Sequence, residues 1–221
     1  MSQGTLISNN RIRCWVPRAL VEYLNLDVKV LVAEENQDIW ASNFPLKKVP
    51  CFLGPGGEFK LSEVIAVMVY LINLSSNQEK KDALLGTTPE EQAKVLMFLS
   101  LGNAELAAGF PTILAQVRGE KPFSKVEMEA ALRYQDKIAA IYEQRLKDHT
   151  YLATDQLSLA DLFNASLFTR GFEHYFDAEW RAAHPSIMKW FNHVTASPAI
   201  AALYHDFKPC EKFAAEPPSQ R

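Results

Sequence analysis

The stretch Pro45 to Leu71, PLKKVPCFLGPGGEFKLSEVIAVMVYL, constrains the fold of this chain more than any other. Val49-Pro50 closes an extended connection, Cys51-Phe52-Leu53 reads as a short apolar strand, and Gly54, Pro55, Gly56 and Gly57 form a dense turn signal. Lys60-Leu61 supplies a return strand. Ser62 is the expected cap of a helix in which Ile65, Met68, Val69 and Ile72 recur at helical spacing, so a hairpin is followed by a helix lying on its sheet. That helix, entered near Glu63, offers free N–H groups to a carboxylate.

Upstream, Thr5 to Ile7 and the β-branched Val28 to Val32 read as strands around a helix from about Pro17 to Leu24. The order is βαβ followed by ββα, a thioredoxin-like arrangement whose right-handed crossover makes the first two strands parallel. From Leu74 to Leu85 the charged EKKD run reads as an exposed linker, and beyond it the pattern is helical only. The predicted organisation is an α/β thioredoxin-like half (1–76), a linker (77–87), an all-α helical bundle (88–213) and a tail (214–221).

The helical half opens with Thr88-Pro89-Glu90-Glu91, a threonine cap with proline in the first turn and Glu91 closing a capping box. Val95, Leu96, Met97, Phe98, Leu99 and Leu101 make the next helix apolar on nearly all sides, which predicts burial all round, until Pro111 bends or ends it. Lys125 to Lys147 carries Met128, Leu132, Ile138, Tyr142 and Leu146 on one face. In Leu157-Ser158-Leu159-Ala160-Asp161-Leu162, Ser158 and Asp161 suit a second capping box and Leu157 and Leu162 a hydrophobic staple. Asp161 is therefore read as structural, its loss costing at least about 1 kcal/mol.

Several function classes are disfavoured. A net charge of -3 without blocks of like charge argues against direct nucleic-acid binding. No stretch reads as a membrane span, Met1 to Thr5 lacks a signal-peptide pattern, and a cytoplasmic location is expected. Cys14, Cys51 and Cys210 are odd in number and lack CxxC spacing, and the histidines at 149, 174, 184, 193 and 205 lack metal-ligand pairing, so neither disulfides nor a metal is expected. Trp180, Trp190 and Phe191 fall at core positions, and His184-Pro185 reads as a helix junction.

The KVP turn, the acidic helix entry and the S-x-x-D box together resemble cytosolic glutathione transferases over essentially the whole chain. More narrowly, MSQGTL, LDVKV, FPLKKVP, RLKDHTYLAT, SLADL and EWRAAHPSIMKWFNHVTASP resemble the amino-terminal domain of the gamma subunit of fungal translation elongation factor 1B. The resemblance implies a non-catalytic scaffold that binds the nucleotide-exchange subunit of elongation factor 1B during protein synthesis. It also implies a homodimer, and a longer chain in which a basic linker and a further domain follow Arg221.

By the same resemblance Val49-Pro50 is a cis bond that turns the N–H and C=O of residue 49 outward, and Lys48, Val49, Pro50 and Glu63 match glutathione-contacting positions. Val64 stands where many transferases have serine; losing a hydroxyl-to-carboxylate bond of roughly 1.5 to 3 kcal/mol weakens binding about 10- to 100-fold. The alternative reading is an active glutathione transferase acting on small electrophiles, which needs a group that favours the thiolate. Ser8, Arg11 and Arg13 are the candidates, whereas Cys14 and Cys51 read as small buried hydrophobes. No cofactor is expected beyond glutathione itself.

Overall fold

The computed structural model describes residues 2–215. Strands β1 (Gly4–Ser8), β2 (Val28–Val32), β3 (Cys51–Leu53) and β4 (Lys60–Leu61) form one sheet in the order β2-β1-β3-β4. β1 runs parallel to β2 and antiparallel to β3, with Leu6 opposite Val30 on one side and Phe52 on the other, and β4 closes the predicted hairpin. The crossover helix α1 spans Trp15–Tyr23, and a short α2 (Gln37–Asn43) precedes the loop to β3.

Helix α3 (Val64–Leu74) lies on the sheet as expected, but the faces divide differently from the predicted stripe. Val67 and Leu71 meet Leu6 and Phe52 of the sheet. Val64, Met68 and Ile72 turn away to join Val16 and Leu20 of α1 in a core shared with the helical half. Fully burying each such side chain contributes roughly 1.5–3 kcal/mol. Ser62 is not the cap: Glu63 holds that position at φ 71°, ψ 123°, with no side-chain bond to the helix.

The expected linker is largely helical. Asn77 caps α4 (Gln78–Leu85) by accepting from the Lys80 N–H at 2.9 Å, and Leu84 is buried. Its charges hide the helix because a single residue is enough to anchor so short an element. Lys80 Nζ donates to the Tyr23 carbonyl at 2.7 Å and sits 3.9 Å from the Tyr23 ring centre, tying α4 to the end of α1.

In α5 (Pro89–Leu101) the Thr88–Glu91 capping box forms. Val95, Phe98 and Leu99 are buried, but Leu96 and Met97 are 51% and 52% exposed, contrary to the expected all-round burial. The chain then passes through a π-helical turn, Gly102–Leu106, before Pro111 takes its place in the first turn of α6 (Phe110–Val117). Proline thus starts a helix, where its missing N–H is harmless. Among the described residues, Pro89–Val117 alone reaches the length and hydropathy of a membrane span, which corrects the expectation that none would. It is broken by the π turn, and Phe98, Leu106 and Ile113 pack into the protein core.

The bundle is completed by α7 (Lys125–Asp148), α8 (Leu159–His174), α9 (Ala178–Ala183) and α10 (Pro185–Thr195). Met128, Ile138, Tyr142 and Leu146 of α7 are buried as predicted. Ser158 and Asp161 form the second capping box, fully buried. Trp190 and Phe191 are core residues, whereas Trp180 is only partly buried, sandwiched between Phe176 and His184 with ring centres 3.7 and 3.8 Å away. The described part of the predicted tail, 214–215, packs on the core through Ala215; residues 216–221 lie outside the described residues.

Candidate functional site

A cavity of about 550 Å³ opens where the loop before β3 and the start of α3 meet the segment after β1, and only Asn103 among its lining residues comes from the helical half. The loop is set by local packing. Phe44 is buried against Ile7, Ala33 and Cys51, the Trp40 indole N–H donates to the Lys48 carbonyl at 3.3 Å, and Lys47 takes φ 46°. Val49-Pro50 is cis, as the resemblance implied. With β3 starting only at Cys51, neither the N–H nor the C=O of Val49 bonds to another described residue. The first internal bond of α3 runs from the Val67 N–H to the Glu63 carbonyl, so the N–H groups of Val64, Ile65 and Ala66 end the helix uncapped beside the cavity.

The walls are cationic. Arg11, Arg13 and Lys48 line the cavity against one carboxylate, Glu63. Arg13 is half-buried and is held across the two halves: its Nε donates to Asn103 Oδ1 at 2.7 Å and its Nη2 to the Asn103 carbonyl at 3.3 Å. Burial pulls its guanidinium below the ordinary arginine value, and the nearby Glu63 charge opposes this.

Asn103 owes its place to the π turn. The Asn164 amide bonds the Phe98 carbonyl at 3.0 Å and accepts from Tyr142 at 2.7 Å directly under Gly102, where any Cβ would collide with Asn164 Oδ1. Gly102 lets the turn close on Asn164, and the turn aims Asn103 at Arg13.

The cavity gathers Lys48, Val49, Pro50, Glu63 and Val64, together with Arg11 and Arg13. It does not gather Ser8, which is the last residue of β1, nearly fully buried, and lines a second cavity of about 760 Å³ with Asn9, Arg18, Val32, Glu34 and Arg170. Ser8 thus falls inside the strand rather than after it, and its side chain serves the other face. Cys14 and Cys51 are completely buried, and burial pushes their thiols up to about 11 and about 12. Val64 lines the cavity while packing into the core, and as valine it brings no hydroxyl to its own position.

Two polar lining residues were missed by sequence reasoning. Ser62, read as a cap, is exposed and offers the cavity a hydroxyl one residue before Glu63; Asn103, ninety positions from its partner Arg13, carried no local signal. Among the described residues no cluster of three or more His, Cys, Asp or Glu could hold a metal ion. The arrangement is suited to an extended anionic ligand: main-chain pairing at Val49, guanidinium and ammonium charge on the walls, and free N–H groups at one end.

Comparison with known proteins places this geometry. Residues 2–73 match the glutathione S-transferase N-terminal domain and residues 96–198 the C-terminal domain. The chain is 47% identical over 214 residues to elongation factor 1-gamma 1 of Saccharomyces cerevisiae, covering 96% of this chain and 51% of that protein, so it spans about half the length of that relative. A putative elongation factor 1 gamma homolog of the same yeast is 38% identical over 218 residues, covering 96% of this chain and 97% of the relative. The crystal structure of the GST-like domain of yeast elongation factor 1-gamma superposes with a TM-score of 0.91 at 46% identity, over 99% of this chain and 100% of that one. The shared double-domain fold and the extent of these identities show that the chain belongs to the glutathione S-transferase family, in its elongation factor 1-gamma branch.

Proposed function

We propose that this chain is the interaction domain of a translation elongation factor 1 complex, a cytoplasmic scaffold that receives the nucleotide-exchange subunit and does not itself catalyse conjugation. The observation that carries the reading is its 47% identity to elongation factor 1-gamma 1 across nearly the whole chain. The cavity supports it. Where a transferase needs a hydroxyl or thiol facing the glutathione sulfur, the wall after β1 presents Arg11, Ile12 and Arg13. The helical half contributes Asn103 alone, clamped on Arg13, where an apolar pocket would be needed to seat an electrophile.

A second reading, glutathione binding with or without turnover, is favoured by one specific feature: Val49 with its free main-chain pair beside the uncapped start of α3. Self-association is part of the first proposal. Leu96 and Met97 on α5 and Tyr134 and Ile141 on α7 are large, apolar and exposed, as residues of a covered dimer face are.

Light scattering behind size-exclusion chromatography tests both parts. The purified chain is expected to run as a dimer and to form a stoichiometric complex with the exchange subunit. No complex at micromolar concentration refutes the scaffold reading, and a conjugation assay with glutathione and chlorodinitrobenzene then becomes decisive. Leu96→Asp is expected to yield monomers; an unchanged dimer sets that face aside.

A further inference from the structure

We propose that the free edge of β2 accepts, as an added strand, an extended segment of a partner chain that alternates aliphatic with acidic residues. This rests on the reading of the chain as an interaction domain and names the surface and the partner chemistry by which it would act.

The direction of the main-chain groups of β2 follows from the far side of the sheet. The Gly54 N–H donates to the Phe59 carbonyl at 2.8 Å, so Phe52, two residues earlier, bonds to β4. Bonding alternates along a strand, which leaves Cys51 and Leu53 to bond Ile7 and Thr5 of β1, and Leu6 and Ser8 to bond β2. In that parallel register Lys29 and Leu31 bond inward, in step with the Asp27 carbonyl, which accepts from the Gln3 N–H at 2.7 Å. Val28, Val30 and Val32 therefore turn their N–H and C=O groups to the outer edge. There the Asn36 amide donates to the Val32 carbonyl at 2.9 Å, while no described residue outside the sheet bonds to the main chain of Val28 or Val30. Of the two sheet edges, β4 has two residues and β2 has five. A row of unpaired main-chain groups of that length is a template for a further strand.

The side chains specify what that strand carries. On one face Val30 and Val32 are 41% and 43% exposed and line the cavity of about 760 Å³, which leaves room for aliphatic residues laid against them. The charges around this cavity are already matched: Arg170 pairs with Glu173 at 2.9 Å, and Glu34 accepts from Asn9 at 2.8 Å. On the other face Lys29 is exposed and forms no ion pair with a described residue. Successive side chains of a strand point to opposite faces, so a segment that covers the two valines with aliphatic residues brings its intervening carboxylates to the Lys29 side. A second copy of this chain is the poorer occupant. Antiparallel pairing centred on Val30 would set valine on valine, but it would place the two Lys29 side chains diagonally, roughly 7–8 Å apart, a like-charge contact that disfavours self-pairing of an edge.

The probe is a fluorescein-labelled peptide alternating valine with aspartate, its control the same peptide with lysine for aspartate, and the readout fluorescence polarisation on the full chain. The acidic peptide is expected to bind, the basic one not. N-methylation of one alternate set of its amides is expected to abolish binding and of the other set to leave it, because only one edge of the peptide bonds to β2. Lys29→Glu, at an exposed position that leaves folding intact, is expected to weaken binding about tenfold or more. Val30→Pro, which removes one outward N–H and spares the ladder to β1, is expected to weaken it as well. No binding up to millimolar concentration, equal binding of both peptides, binding that survives both methylations, or binding unchanged by Lys29→Glu overturns the proposal. Concentration-dependent assembly beyond a dimer that Val30→Pro abolishes assigns the edge to a second copy and overturns it too. Complex formation with the exchange subunit is measured separately. A complex that forms equally well with Lys29→Glu and Val30→Pro overturns the edge as the docking surface while leaving the scaffold reading standing; failure of the unaltered chain to form any complex overturns the scaffold reading itself.

Discussion

Replacing Asp161 by alanine is expected to destabilise the protein by about 4 kcal/mol, a figure built from its four bonds. Its Oδ1 accepts from the Leu152 N–H at 2.8 Å and the Trp190 indole at 2.9 Å, its Oδ2 from the Ser158 N–H at 2.9 Å and hydroxyl at 2.6 Å. Leu152, Ser158 and Trp190 are all essentially inaccessible to water. Alanine strands three N–H donors, each costing about 1–3 kcal/mol when buried without a partner; the hydroxyl can rotate to another acceptor. Part of the loss is recovered, because the carboxylate no longer has to be desolvated. That same burial raises the Asp161 carboxyl above its ordinary value, against the pull of the four donors. A loss of about 4 kcal/mol is a large share of the roughly 5–15 kcal/mol that holds a domain folded. Urea unfolding followed by far-ultraviolet dichroism and by tryptophan fluorescence measures it, with Ser158→Ala, expected to cost about 1 kcal/mol, as the reference. If Asp161→Ala costs less than Ser158→Ala, the assignment of Asp161 as the hub joining α8, α10 and the Leu152 turn is wrong.

Other consequences are as direct. With Cys14 and Cys51 buried and their thiols raised, a disulfide reagent at pH 8 is expected to label at most Cys210 quickly in the native chain and all three thiols in denaturant; two fast native thiols would contradict the burial. Burial, followed by the charges of Arg118 and Arg170, holds His174 below its ordinary 6.5, and its Nε2 has no hydrogen-bond partner among the described residues. The unfolded chain therefore takes up the proton more readily, so this contribution to stability is complete above pH 6.5 and lost as pH falls through the lower folded value. His174→Gln should flatten the stability profile below neutral pH, and an unaltered slope would assign the effect elsewhere. Asn103→Ala removes the Oδ1 acceptor of Arg13 Nε while the main-chain carbonyl stays, and should cost about 1 kcal/mol in chemical unfolding; no change would mean the Asn103 side chain does not anchor Arg13.

What was legible in the sequence was written in short-range chemistry. Gly54 to Gly57 had to turn, Thr88 and Ser158 announced their capping boxes three residues ahead, and the β-branched run Val28–Val32 marked a strand. Lys48, Val49, Pro50, Glu63 and Val64 came together in the cavity because they sit on two sides of one hairpin. What escaped depended on distance or on small energies. Helix α4 buries little beyond Leu84, so its charged surface masked its periodicity. Leu96 and Met97 have core-like chemistry, and only the placement of neighbouring helices decides that they face outward. Ser8 closes β1 instead of following it, because its pairing with Val32 extends the strand by one residue, and pairing across strands leaves no local signal. In the sequence Arg13 is a candidate no different from Arg11; its distinction comes from Asn103, which tertiary folding alone brings to it.

The core that α1 and α3 share with the helical half sets a limit on how this protein can be divided. Val16, Leu20, Val64, Met68 and Ile72 belong to the same apolar body as Phe98, Leu99, Phe163 and Phe168. Cut after α3, the thioredoxin-like half would expose that whole face to water while retaining only two small clusters, one around Leu6 and Phe52 and one around Ile7, Phe44 and Cys51. The two halves, though separable as sequence patterns, are bound to melt together in one cooperative transition, and neither can drift in sequence along the seam without the other answering it.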